Sequence, residues 1–394
     1  MRDILAAILS VFRKGGHSLF LLALVLFFSS SPKSIYFLIL FAVSQIPFLI
    51  RCNNVAHIIP MLLFSLTYCL FWAVSGTVSS YAVLFAILIC PTMFYLFGEF
   101  LGAKLNYTKE LPVALLILIS SMLFVVFLTT ISNIYRVGFV SVDRQLIFED
   151  QANHSNATVW GLLVSPALGF LAMPFLINKR ANRILPVSYA ILTILALLTV
   201  IHVVNRGGLL IALVAMFISL YVKFHKKNKI VFILGSVLIT LIVVYLVSLE
   251  GSVIDAYSAR MDIESDGERF VRWLYGIKCL FTQPLGWNDV STGHVYYMHN
   301  LWLDVARVSG IIPFFFLMIP TLVSLKGVFT LYKHSNSGTT IILISLYVTT
   351  FLSCFMEPAL EAKPVVVFWF IFVWGVISGV LKNNSFWNEC QVCK

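Results

Sequence analysis

Apolar stretches free of Asp, Glu, Lys and Arg recur along the whole chain, most of them long enough to cross a bilayer. They fall at 18–30, 35–50, 58–75, 81–98, 111–131, 158–177, 184–204, 209–222, 230–248, 309–325, 338–356 and 364–381. An open sheet edge cannot stand in lipid, because its backbone groups find no partners there. Each run is therefore read as a helix. About twelve such helices absorb most of the 394 residues, of which 60% are hydrophobic and only 11% charged. Soluble domains carry about 25% charged residues, so soluble enzymes, disordered chains, nucleic-acid modules and secreted disulfide scaffolds are excluded. The expected fold class is an all-α polytopic membrane protein, a single integral membrane domain over 1–394.

Residues 2–14, an apolar run flanked by Arg2, Asp3, Arg13 and Lys14, read as an interfacial helix. A signal peptide is the other reading, and the lack of a small-residue cleavage site argues against it. The net charge of +10 is explained by topology before it suggests an acidic partner, because cytoplasmic loops collect Lys and Arg. With the N-terminus inside, the inner segments hold Arg2, Arg13, Lys14, Arg51, Lys104, Lys109 and the basic groups at 179–183 and 223–229. Lys326, Lys333, Lys382 and Lys394 join them, and only Asp3, Glu99, Glu110 and Glu389 oppose them. Both termini are thus expected in the cytoplasm.

Two outward segments are long: 132–157 between the fifth and sixth spans, and 249–308 between the ninth and tenth. Long loops in compact proteins usually carry function, so the chemistry is expected outside. The spans hold no ionisable residue away from their ends, which argues against an ion-coupled transporter. A flippase with a polar, uncharged path stays open.

Three motifs carry the candidate chemistry. Asn205-Arg206-Gly207-Gly208 stands at the start of the eighth span, where two glycines admit close approach and free N–H groups favour an anion. Arg206 adds a guanidinium fork suited to phosphate. A tight turn whose arginine snorkels to lipid headgroups fits the same residues. In the long loop, Gly267–Tyr275 reads as a helix with Arg269 and Arg272 on one face, able to grip a diphosphate. A solvated face paired with Glu264, Asp266 and Glu268 fits equally well. His299-Asn300 then opens an amphipathic helix leading into the tenth span and containing Asp304. A neutral imidazole there can take a proton from a sugar hydroxyl near neutral pH, although a surface histidine without a role is the simpler reading.

Other signals are weak. Asp262–Gly267 imitates the start of a calcium loop, but its twelfth position is Trp273 rather than Glu. Of seven cysteines only Cys279 is expected on the oxidising side, so no disulfide follows. Cys390 and Cys393 make half a zinc site at best, and the sequons at Asn153 and Asn156 carry little weight.

Taken together, the spans, the Arg-Gly turn, the long loop with Gly267-Glu268-Arg269 and the His299-Asn300 pair resemble the O-antigen polymerases and O-antigen ligases of the bacterial inner membrane. The stretch His299–Asp304 followed by Ser309–Phe314 is more similar to the polymerase branch. The resemblance implies a C-type membrane glycosyltransferase with its active site facing the periplasm. Its donor is an undecaprenyl diphosphate-linked oligosaccharide, moved onto a sugar hydroxyl of another lipid-linked repeat unit, or in the ligase reading onto lipid A core. It implies no metal and no other cofactor, membrane lipid as surroundings, no nucleic acid, and room for a chain-length regulator and a flippase as partners. Arg206 and Arg269 would neutralise the leaving diphosphate with Arg272 in support. His299 would be the general base, and Asn300 or Asp304 would orient it or hold a sugar.

Overall fold

The computed structural model describes residues 2–31, 34–47, 58–75, 80–139, 145–146, 155–176, 184–224, 267–287 and 297–392. The expected ninth span, 230–248, and most of the loop that follows lie outside them, as do Glu264, Asp266 and the sequon at Asn153.

The described chain is helical apart from one two-residue antiparallel pair, β1 (Gln145–Leu146) with β2 (Ser155–Asn156). Eight helices are long and apolar enough to cross a membrane, so the protein is a polytopic membrane protein. They are α1 (Arg2–Phe27, extended by a 3₁₀ turn to Ser30), α4 (Tyr81–Lys104), α5 (Leu111–Val137), α8 (Ile184–His202), α9 (Arg206–Phe224), α12 (Ile311–His334), α13 (Gly338–Met356) and α15 (Pro364–Leu381). Shorter apolar helices stand at three other expected positions: α2 (Ser34–Ser44), α3 (Ile59–Val74) and α6 (Ala157–Val164), which runs into a 3₁₀ turn to Ala167. Four short helices, α7 (Met173–Leu176), α11 (Leu301–Ser309), α14 (Ala359–Ala362) and α16 (Asn384–Val392), and the amphipathic α10 (Gly267–Thr282) complete the set.

Several boundaries differ from those read in the sequence: α4 and α5 run on to Lys104 and Val137, α2 ends at Ser44, and the expected sixth span, 158–177, is not one helix but α6, its 3₁₀ turn and the separate α7. The expected interfacial helix 2–14 and first span are one helix with a break at Gly16, whose φ of 57° an L side chain rarely adopts. The tenth span does not stop before Lys326. Its helix continues to His334 and ends with Lys333 and His334 in the last turn, where cations suit the helix dipole.

Nothing hydrophobic drives helices together inside lipid, so their association depends on close backbone contact and polar side chains. Gly98 and Gly102 of α4 face Gly375 and Gly379 of α15. A Cβ on Gly98 or Gly102 would strike the carbonyl of Phe372 or Val376, and one on Gly375 or Gly379 that of Tyr95 or Glu99. Elsewhere buried hydroxyls link helices, as in Ser219 with Ser345 at 2.8 Å and Thr130 with Thr199 at 3.0 Å.

The bundle has two polar ends. At one, Lys14 and Ser10 hold Glu110, Tyr107 bonds Ser337, and Asn383 caps Gly102 and Leu105. Burial pushes the Glu110 carboxyl up, but the Asn106 N–H, Lys14 and Ser10 outweigh it and leave its pKa lowered. The other end carries the start of α9, the end of α13, and helices α10, α11 and α14. The three motifs that carry the candidate chemistry sit there.

Candidate functional site

Helix α9 begins at Arg206 because Asn205 caps it: its side-chain oxygen accepts the Gly208 N–H at 2.9 Å, and its amide donates to the Ala157 carbonyl at 2.9 Å. The two glycines divide their tasks. A Cβ on Gly208 would crowd Val200, so that glycine serves packing against α8 rather than a ligand. A Cβ built on Gly207 would meet only Asn205 and, at 3.9 Å, the methyl of Met356. The Arg206 turn therefore lies against the last residue of α13.

Met356 and Glu357 are the meeting point of the site. From α10, Arg269 donates to the Met356 carbonyl at 3.2 Å and places its guanidinium 3.7 Å from Glu357. From the turn before α11, His299 sets Nδ1 3.4 Å from the other Glu357 oxygen. Glu357 is thus shared by two of the residues singled out in the sequence, and the turn of the third touches its neighbour. Arg272 lies one turn beyond Arg269 on α10 and is half-buried. Arg269 and His299 keep 30% and 23% of their side-chain surface, so a ligand can reach both.

Two non-glycine residues among those described have φ in the left-handed region: Val204 and His299, both at 51°. For a β-branched residue this is strain, and strain of this kind gathers at functional sites. One precedes the Asn205-Arg206 turn and the other is the candidate base.

The His299 turn is held from several sides. Met298 is fully buried; its N–H goes to Asp304 at 2.8 Å, and its carbonyl accepts the Trp273 indole N–H at 2.8 Å. Asn300 caps α11 by accepting the Leu303 N–H at 3.2 Å, and its amide reaches the Phe355 carbonyl at 3.3 Å. Asn300 and Asp304 are 5% and 2% exposed, and these bonds are internal to the protein. Helix α10 is docked in turn by its C-terminal loop, where Ile311 N–H bonds the Pro284 carbonyl and Trp287 N–H the Arg307 carbonyl, each at 2.9 Å. That approach needs Gly286 and Gly310, both with positive φ and both too close to the opposing backbone for a Cβ.

Arg307 is buried between Asp304 and Glu361, with its guanidinium 5.3 Å above the Tyr297 ring. Burial lifts the Glu361 carboxyl to about 7 against the pull of Arg307, and burial likewise raises Asp304. Among the described residues no group of three or more His, Cys, Asp or Glu side chains could hold a metal ion.

Sequence reasoning missed Glu357, Glu361 and Arg307. Glu357 had one visible signal: an acid directly after an apolar span, where the helix dipole disfavours it, followed by Pro358. No protein-family model matches the chain, and no curated protein matches it.

Proposed function

We propose that the protein is a glycosyltransferase of the O-antigen polymerase type. It moves a glycan from undecaprenyl diphosphate onto a sugar hydroxyl of another lipid-linked repeat unit, on the periplasmic face of a bacterial inner membrane spanned about twelve times. The observation that carries this reading is the convergence of His299 and Arg269 on Glu357, with the Arg206 turn alongside, at the end of an apolar bundle.

In this reading the acceptor hydroxyl gives its proton to Nε2 of His299 while its oxygen bonds the anomeric carbon of the donor sugar. The bond from that carbon to the diphosphate oxygen breaks, and the diphosphate leaves with the electron pair. Glu357, facing Nδ1, orients the ring and balances the imidazolium that forms. Arg206 and Arg269, with Arg272 in support, neutralise the diphosphate, so no metal is required. The donor has a competitor already in place: Arg269 rests on Glu357, and phosphate binding would draw it away and leave Glu357 to His299 alone. Asn300, buried and bonded within the protein, holds the turn rather than a sugar.

A lipopolysaccharide gel from a deletion strain tests the reaction class. The expected pattern is core capped by a single repeat unit. Bare core with long chains on undecaprenyl diphosphate would make the protein a ligase, and repeat units accumulating inside the cell would make it a flippase.

A further inference from the structure

We propose that Asp304 and Arg307 are the positioning pair of the site: the Asp304 carboxylate spans the peptide N–H groups on either side of His299 and fixes the backbone that aims the imidazole at Glu357. The inference rests on the role given to His299 above.

The geometry is specific. One Asp304 oxygen accepts the Met298 N–H at 2.8 Å and the other the Asn300 N–H at 3.1 Å. A backbone turning through a left-handed residue forms a concavity that favours an anion, and here the anion is the protein's own. His299 pays a backbone strain for its φ of 51°, and the two bonds supply what holds it there. A buried carboxylate needs a partner. Arg307 is that partner, with Nε 3.4 Å from Asp304 and its far nitrogen on Glu361 of α14. Glu361 lies four residues after Glu357, so one pair joins the turn that carries the base to the segment that carries the base's carboxylate. Because Asp304 is 2% exposed, it acts through His299 and not on a sugar.

The test reads the turn directly. Full-length protein in nanodiscs is treated with diethyl pyrocarbonate, and the rate of His299 modification is followed by mass spectrometry, with the remaining histidines as internal controls. Asp304→Asn keeps one acceptor of the two, and His299 should modify about fivefold faster, as expected for one lost hydrogen bond. Arg307→Lys keeps the charge but not the two-sided fork, and serves the same purpose if Asp304→Asn does not accumulate. In the transfer assay the variants should lose turnover about tenfold with the KM for the lipid-linked donor unchanged, since Arg206 and Arg269 are intact. Unchanged His299 modification in both variants overturns the inference whatever the activity. Faster modification in a protein that shows no transfer even as wild type supports the positioning and removes the proposed function instead.

Discussion

Between its ordinary value of 4.5 and about 7, Glu361 keeps its proton in the folded protein while an unfolded chain has lost it. The native state binds more protons throughout that window, so this group makes stability fall as pH rises from about 4.5 to about 7. At 1.36 kcal/mol per pKa unit the effect is at most about 3 kcal/mol. Glu361→Gln should flatten the slope, measured as melting temperature against pH in detergent; an unaltered slope would place the titration elsewhere. Glu110 has the opposite sign: its lowered pKa gives stability above the ordinary carboxylate range that is lost on acidification. Glu357→Gln keeps a hydrogen-bond partner for His299 but loses the charge opposite the imidazolium, and turnover should drop about tenfold or more. This residue shows why the site was half legible in the sequence. Arg206, Arg269 and His299 stand beside glycine, asparagine and helix-start signals that give them local meaning. Glu357 is one acid in a short connection, and only the packing of α13 against α9 and α10 reveals what it faces.

Helices were easier to read than their partners. Unbroken apolarity marked the eight helices that are long enough to cross a membrane among the described residues, because a buried or lipid-facing helix needs nothing else along its length. Which helix meets which depends on surface shape: Gly98 and Gly102 are as visible in the sequence as Gly375 and Gly379, yet neither pair names the other. Substituting Gly375 or Gly98 with Val forces α4 and α15 apart. A loss of about 1–3 kcal/mol is expected, read as lower melting temperature and reduced yield of folded protein. Helix α10 makes a second prediction. Its inner face carries Arg269, Arg272, Trp273 and Gly276, while Phe270, Leu274, Ile277 and Phe281 are 48–68% exposed on the other. Such a helix suits the boundary between lipid and water. A tryptophan at Leu274 should be quenched by brominated lipid in vesicles, and full quenching by aqueous iodide instead would put that face in water.

For the whole molecule, transfer outside the cytoplasm requires the end that carries Glu357 to face away from the cytoplasm and the end that carries Glu110 to face it. In a cysteine-free background, Gln283→Cys should react with an impermeant thiol reagent in intact cells, and Thr108→Cys only after lysis. The central claim is transfer from a lipid diphosphate by a histidine that a carboxylate orients and arginines assist, without metal. Reconstituted protein supplied with undecaprenyl diphosphate-linked repeat units, in the presence of chelator, measures it most directly. Chains should lengthen on the lipid carrier for wild type, and His299→Ala of equal stability should lower the rate by about 10²–10⁴-fold. A folded His299→Ala protein that lengthens chains at the wild-type rate would contradict the account.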